Sequence, residues 1–332
     1  MPRAHEAHAF GGSTQAVGGG YYGTGQYTAQ QGIKILVTGA CGQVGTELLP
    51  YLRERVGVDN IIDAGPFEFL DVRDKDNLSR IIIEHGCNRV IHLATLLSVV
   101  GEKNPALTLK INNNGIQNIL ELAAQQKLQV MSPSTIAVFG PNAPKENTPN
   151  DAAMNPSTIY GISKVHTELL GSYYRERFNV DFRSLRLPGI IGKAKAGGGT
   201  TDYAVDIFQA AVLSGKYTCF LPADLDLPML YMPDCLDAFW NLIQAPRKHL
   251  TRCVYNVQGM SFSPHSLSSA IQKHLPHFQL VCKPDFREAI ARSWPRSVDD
   301  SFARADWGWK PKYDLQRMTQ DMLKASKAFS GQ

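Results

Sequence analysis

Apolar positions follow two rhythms along most of this chain. From Ile33, the stretch "IKILV" sets Ile33, Ile35, Leu36 and Val37 in a short apolar run that ends on the glycines of "TGACGQVG". Leu48, Leu49 and Leu52 then recur at helical spacing, which predicts strand, tight turn and helix. "NRVIHLAT" (88–95), "QVMSPSTIAVFG" (129–140) and "VDFRSLRLPGII" (180–191) predict further buried strands. Between them, "PALTLKINNNGIQNILELAAQQ" and "YGISKVHTELLGSYYRERF" predict helices. Buried strands alternating with helices of this length predict a parallel sheet covered on both faces. The expected fold class is therefore α/β. A Rossmann-type doubly wound parallel sheet is expected over residues 32–185, with a smaller C-terminal substrate-binding lobe over 186–332, partly interleaved with the sheet. That second part is less regular and carries "AKAGGGTTDYAV", a glycine-rich loop opening a helix, suited to covering a ligand. Residues 1–31, rich in Gly, Tyr, Gln and Ala, show neither rhythm and are expected to form a flexible tail.

Composition narrows the partners. The chain has 332 residues, 43% of them hydrophobic, enough for a substantial core. No run reaches the ~18 consecutive apolar residues of a membrane span. The net charge of +4 is spread along the chain with no block of Lys and Arg, so neither nucleic acid nor a membrane surface is the expected partner. A small molecule is. The six cysteines have neither paired short spacings nor a small secreted frame, so no metal site is expected and the thiols are expected to be reduced.

Two motifs carry candidate chemistry. Gly39, Gly42 and Gly45, with Gln43 and Val44 between them, let a backbone turn tightly, approach a pyrophosphate and point helix N–H groups at it. A strand before and a helix after supply the context that such a triplet needs, and a dinucleotide is the ligand expected. In "NPSTIYGISK", Tyr160 and Lys164 lie one helical turn apart on one face. An ammonium near a phenol, helped by the positive charge of an oxidised nicotinamide, would lower the tyrosine pKa from ~10 toward a range useful for a base. The alternative is a solvated Tyr/Lys edge of an amphipathic helix. Against it stand Ser132, Ser134 and Thr135, at the expected carboxyl edge of a strand, where a hydroxyl can bind a substrate oxygen.

"TGACGQVG", "STIAVFG" and "YGISK" together resemble the extended short-chain dehydrogenase/reductase superfamily, over nearly the whole chain after residue 32. Within it, "PSTIAVFGP", "TIYGISKVHTELLG", "LPGIIG", "GGGTTDYAV", "MSFSP" and "SWPRSVDDSFARADWGWK" resemble the L-threonine 3-dehydrogenases of the short-chain type. The resemblance implies NAD-dependent oxidation of the C3 hydroxyl of L-threonine to 2-amino-3-oxobutyrate. Tyr160 would take the proton, Lys164 would hold the cofactor ribose and Thr135, commonly serine in the superfamily, would bind the reacting oxygen, with Ser134 able to share that role. Ser98 and Thr200 are implied on the amino acid's carboxylate and amino groups, aided by N–H groups of Gly198 and Gly199, and Trp294 as a pocket wall. The bland readings are an N-cap for Thr200 and a core tryptophan packed on Trp307 and Trp309 for Trp294. Asn112 would support the tyrosine and lysine, with helix-end capping as the alternative. Leu187, Pro188 and Ile190 would cover the nicotinamide, and Asp234 would be structural.

Cofactor choice turns on the second strand. Asp63 follows Gly45 by eighteen residues, near the ~20 expected of the acid that binds the ribose of NAD. No Arg or Lys sits in the glycine loop or just after Asp63 to receive a 2′-phosphate, so NAD is expected over NADP. The family carries a longer connection after this acid, whereas here Gly65 is two residues away. Asp71 and Val72, ending an expected third strand, are placed at the adenine, with Leu93 and Ala94 near the nicotinamide ribose. The resemblance further implies a homodimer and, for eukaryotic members, a mitochondrial location, although no clear transit peptide marks this chain. A nucleotide-sugar epimerase or dehydratase of the same fold is the competing reading, and a nonenzymatic nucleotide-sensing scaffold the third. "GGGTTDYAV" fits a small amino acid better than a long sugar nucleotide, and a scaffold usually loses the tyrosine or lysine.

Overall fold

The computed structural model describes residues 32–64 and 70–330, and the expected tail at 1–31 lies outside them. The first part alternates as its sequence rhythm requires: β1 (Ile35–Thr38), α1 (Gln43–Val56), β2 (Ile61–Ala64), α2 (Lys75–Glu84), β3 (Arg89–His92), α3 (Ser98–Lys103), α4 (Pro105–Gln126), β4 (Gln129–Met131), β5 (Ser134–Thr135), α5 (Ile159–Phe178) and β6 (Asp181–Leu187). There follow β7 (Gly189–Ile191), α6 (Tyr203–Ser214), β8 (Lys216–Cys219), β9 (Leu227–Tyr231), α7 (Met232–Gln244) and β10 (Val254–Asn256). The chain closes with β11 (Met260–Phe262), α8 (Pro264–Gln272), β12 (Gln279–Cys282), α9 (Arg287–Ser293), α10 (Ser301–Trp307) and α11 (Leu315–Ser330).

Strands β2, β1, β3, β4, β6 and β10 lie side by side in that order, with β5 also pairing with β6, and every pairing is parallel. The chain leaves β1 for β2 on one side and then returns to β3 on the other. A crevice therefore opens between β1 and β3 at their carboxyl ends, where ligands bind in sheets of this kind. Apolar residues fill both faces: Leu36, Val90, Ile116, Ile119 and Phe182 on one, Ile35, Val37, Leu48, Leu52 and Phe239 on the other. A separate core, built on Tyr203, Phe208, Leu227, Met229 and Met322, joins the sheet β11-β9-β7 to α6, α8 and α11.

Two expected strands are broken, each at a proline, which has no N–H for a ladder. "VDFRSLRLPGII" splits at Pro188 into β6, in the large sheet, and β7, which pairs with β9 in the small one. "QVMSPSTIAVFG" splits at Pro133, and its last part is a short 3₁₀ turn over Ile136–Val138. The third strand expected to end at Asp71 falls on residues outside those described, and Leu70, Asp71 and Val72 are not in a strand. After α7, which packs on α1, β10 returns to the large sheet beside β6.

The helix that carries the tyrosine motif is anchored at both ends. Thr158 caps α5 through its side chain, accepting from Gly161 N, while Asn179 ends the helix in the left-handed conformation. Its inward face is polar and small: Gly161, Ser163, Lys164, Thr167, Glu168 and Gly171 are buried. A solvated Tyr/Lys edge is excluded, because Lys164 is 5% exposed.

Candidate active site

Sheet geometry delivers the motif residues to one cleft. A cavity of about 280 Å³ is lined by the glycine loop, the carboxyl ends of β3 and β5, the start of α5, the β6–β7 link and the loop that opens α6. Tyr160, Lys164, Thr135, Ser134, Ser98, Gly199, Thr200 and Trp294 all line it. So do Gly39, Gly42, Gln43, Val44, Gly45, Leu93, Leu187, Pro188 and Ile190.

The glycine loop suits a pyrophosphate. Gly39 has φ +70°, and a Cβ there would stand 2.6 Å from Ala94 N, so only glycine can cross beside the β3 end. Gly45 lies against the Ala40 and Gly39 carbonyls, which lets α1 pack on β1. Gly42 caps α1 without a side-chain oxygen, leaving first-turn N–H groups for an anion. Gln43 reaches across to the Ile190 carbonyl at 3.4 Å and links the loop to the nicotinamide side.

Around the reacting end, burial sets the electrostatics. Desolvation pushes the Tyr160 phenol up to about 12, a rise that its hydrogen bond with Thr135 opposes. Lys164 is brought down to about 8, by desolvation first, with Glu168 acting the other way. The expected lowering of the tyrosine pKa is therefore absent from the protein alone. The reason is burial: desolvation is the largest influence on the phenol, while the Lys164 Nζ donates to Pro133 O at 2.8 Å and stands 5.9 Å from the centre of the tyrosine ring. His92, beneath them, is held neutral by burial and by the Lys164 charge, its pKa falling to about 3, and it shares a hydrogen bond with Thr38 Oγ1 at 2.8 Å.

The remaining site residues divide. Ser98 Oγ and Thr200 Oγ1 are hydrogen-bonded at 3.1 Å and both are buried. Thr200 is not the cap of α6, since Asp202 holds that position. Gly198 and Gly199 do not offer free N–H groups: both donate to Asp202 Oδ2 at 2.8 Å, because the loop curls back over its own carboxylate. Trp294 belongs to a core cluster with Ile136, Val138, Phe139 and Val298, whereas Trp307 and Trp309 meet with tilted rings in a different core. Ser134 turns its hydroxyl away to donate to Glu168, so that proton is not directed at a ligand.

Asn112 lies inside α4 and caps no helix end. Its amide holds both backbone groups of Leu96, at 2.8 and 3.1 Å, and donates to Ser163 Oγ at 3.0 Å, beside Lys164. Asp234 is structural, accepting from Lys312 N and Tyr313 N. The acids expected at the adenosine lie off the cleft lining with Val72, Ala94 and Asn112. Asp63 is paired with Arg53 at 2.9 Å, and Asp71 with Arg73. Their loops meet the undescribed residues 65–69.

Sequence reasoning passed over three charged groups here. Asp202 could have been noticed as an acid just after three glycines. Glu168 follows Lys164 by one turn, a spacing visible in "SKVHTE". Arg186 gave no signal, because its partner Glu168 is eighteen residues away, on the helix packed against its strand.

Comparison with known proteins agrees with this geometry. The model of the NAD dependent epimerase/dehydratase family matches residues 35–257. The chain belongs to this family. A mitochondrial L-threonine 3-dehydrogenase of Bos taurus is 44% identical over 304 residues, covering 87% of this chain and 82% of that protein. An uncharacterised epimerase/dehydratase of Staphylococcus haemolyticus is also 44% identical, covering 88% of this chain and 97% of its own. The crystal structure of L-threonine dehydrogenase from Phytophthora infestans superposes with a TM-score of 0.87 at 52% identity, covering 89% of this chain and 99% of that one. Members of the family use NAD, and the residues present fit it: the glycine cradle, the open α1 N-terminus and the apolar cover of Leu187, Pro188 and Ile190.

Proposed function

We propose that the protein is an NAD-dependent L-threonine 3-dehydrogenase, forming 2-amino-3-oxobutyrate. The observation that carries this reading is one cleft lined by Tyr160, Lys164 and Thr135 together with the hydrogen-bonded Ser98–Thr200 pair. In this reading Thr135 holds the C3 oxygen, Tyr160 removes its proton as phenolate, and Lys164 holds the ribose and supplies positive charge beside the phenol. Bound there, NAD would supply the hydride acceptor for C3 and the positive charge that the buried Tyr160 lacks in the protein alone. Ser98 and Thr200 bind the polar end of the amino acid. Trp294 closes the wall.

Gly39, Gly42, Gln43, Val44 and Gly45 would hold the pyrophosphate, with Leu93, Leu187, Pro188 and Ile190 at the nicotinamide. Asp63, Asp71 and Val72 are assigned to the adenosine half by the same reading, and Ala94, with Leu93, to the nicotinamide ribose. Asn112 acts indirectly, through Leu96 and Ser163. Residues 32–185 form the cofactor domain and 186–332 the substrate-binding lobe, with Leu187, Pro188 and Ile190 reaching the nicotinamide from the lobe and Ser98, Thr135 and Tyr160 reaching the substrate from the domain. A nucleotide sugar is disfavoured by the buried Ser98–Thr200 pair beside the glycine-rich loop, which suits the polar end of a small amino acid.

The finer assignments are a homodimer and a mitochondrial location. Ile162, Leu169 and Tyr173 recur on one face of α5 and are exposed, which supports pairing of two copies through this helix. Sedimentation of the protein against a Leu169→Glu, Tyr173→Glu variant tests the pairing. The mitochondrial reading rests on the name of the bovine relative. Fractionation of the source cells tests it.

Absorbance at the NADH band tests the activity. A rise with NAD and L-threonine, absent with UDP-sugars, is expected. Tyr160→Phe should lower turnover at least ~100-fold while NAD binding, followed by protein fluorescence, stays unchanged. Normal turnover in that variant would reject the assignment.

A further inference from the structure

Beneath the cleft lies a buried charge cluster that the proton transfer described above does not use. Glu168 sits on α5 one turn beyond Lys164 and is 3% exposed. It accepts from Arg186 Nε at 2.8 Å and Nη2 at 2.7 Å, and from the Ser134 hydroxyl. Arg186, on β6, also donates to Asn150 O at 2.6 Å and lies over the Phe139 ring. The neighbouring charges count simply: Lys164 and Arg186 are cationic, His92 is neutral, and Glu168 is the carboxylate that offsets them.

The mechanical consequence concerns three consecutive residues. Pro133 supplies the carbonyl that receives Lys164, Ser134 is bound to Glu168, and Thr135 is the partner of Tyr160. We propose that Glu168 is a positioning residue of the dehydrogenase: by gripping Ser134 and Arg186 it sets the β5 segment against α5, so that Pro133 and Thr135 meet Lys164 and Tyr160. This inference rests on the threonine dehydrogenase reading. It gives Ser134 a different task from substrate binding, as the link between the buried acid and the two groups beside it.

The acid also acts through charge. Glu168 is the group that raises Lys164 against desolvation, while His92 on β3, Tyr160 on the same helix and Arg186 on β6 face the same interior. Removing its charge shifts Lys164 further down. Activity that needs the ammonium is then lost at lower pH.

The test compares kcat, KM and the pH profile of kcat/KM for L-threonine in the wild type, Glu168→Gln and Ser134→Ala. Glu168→Gln keeps acceptor and shape but not charge. It should lower kcat roughly tenfold with KM nearly unchanged and move the alkaline limb down by about one pH unit. Ser134→Ala should lower kcat less and leave that limb in place. A Glu168→Gln profile superposable on the wild type, with only a lower melting temperature, would overturn the proposal. Should that variant fail to fold, Glu168→Gln with Arg186→Met removes the stranded cation and allows the same comparison. A readout without substrate separates this idea from the assigned activity. In the NAD-bound protein the tyrosinate absorbance lost in Tyr160→Phe should titrate differently in Glu168→Gln, whichever alcohol is oxidised. Identical titrations would count against the positioning role even if L-threonine is the substrate.

Discussion

A single methyl group distinguishes the cofactor loop from an ordinary helix start. Gly45 lies in the first turn of α1, where alanine would favour the helix by about 1 kcal/mol. The added Cβ, however, would overlap the Ala40 carbonyl and come within 2.7 Å of Gly39 O. Every atom it meets is backbone, so no side chain can swing aside, and overpacking of about 1–3 kcal/mol outweighs the propensity gain. Gly45→Ala should therefore weaken NAD binding at least roughly tenfold and destabilise the fold. Fluorescence titration and urea unfolding measure the two effects, and an unchanged dissociation constant would show that the loop tolerates the shift. The three glycines were legible from sequence because their need is local, a turn and a close approach. Asp202 was visible as an acid beyond the glycines but its role was not, since that depends on how the loop folds back on Gly198 and Gly199. The raised Tyr160 pKa of the protein alone was not legible either: a four-residue spacing shows that Lys164 shares its face, and only the packed structure shows how deeply the phenol is buried.

At the scale of elements, α5 lies on the sheet with a glycine where a side chain would be expected. Gly171 is buried against the ring of Phe182 on β6, and an added Cβ would overlap that ring. Phe182 is fully buried and cannot withdraw. Gly171→Ala should thus cost about 1–3 kcal/mol of stability despite the better helix propensity, and should lower activity by moving the helix that carries Tyr160 and Lys164. Denaturant unfolding and turnover measured together check this. Unchanged stability would mean that α5 slides along the sheet without penalty. The helices α4 and α5 and strands β1, β3 and β6 were readable because their apolar runs or their length are strong. The breaks at Pro133 and Pro188 were signalled by the prolines themselves. What the pattern could not show is that the residues after Pro188 join another sheet, because β7 pairs with β9 forty residues later.

Whole-molecule stability should carry the mark of one histidine in the middle of the sheet. His92 ends β3, is 4% exposed, bonds Thr38 on β1 and packs beside the buried Lys164. Its pKa is about 3 in the folded protein, against about 6.5 in an unfolded chain. The folded state therefore binds fewer protons than the unfolded state throughout the interval between these values. Stability is present in full above pH ~6.5 and is lost as the pH falls toward ~3. One proton over 1.5 pH units amounts to about 2 kcal/mol at pH ~5. His166, also shifted down by burial, and Asp181, held low chiefly by Arg183 against its own desolvation, add losses of the same sign. The His92 share is isolated by a neutral replacement that can still meet Thr38. Urea unfolding near pH ~7.5 and near pH ~5 should show a smaller acid loss for His92→Asn than for the wild type, by about 2 kcal/mol. Equal losses would mean that His92 takes up its proton without unfolding the sheet, and the neutral histidine beneath Lys164 would have to be abandoned.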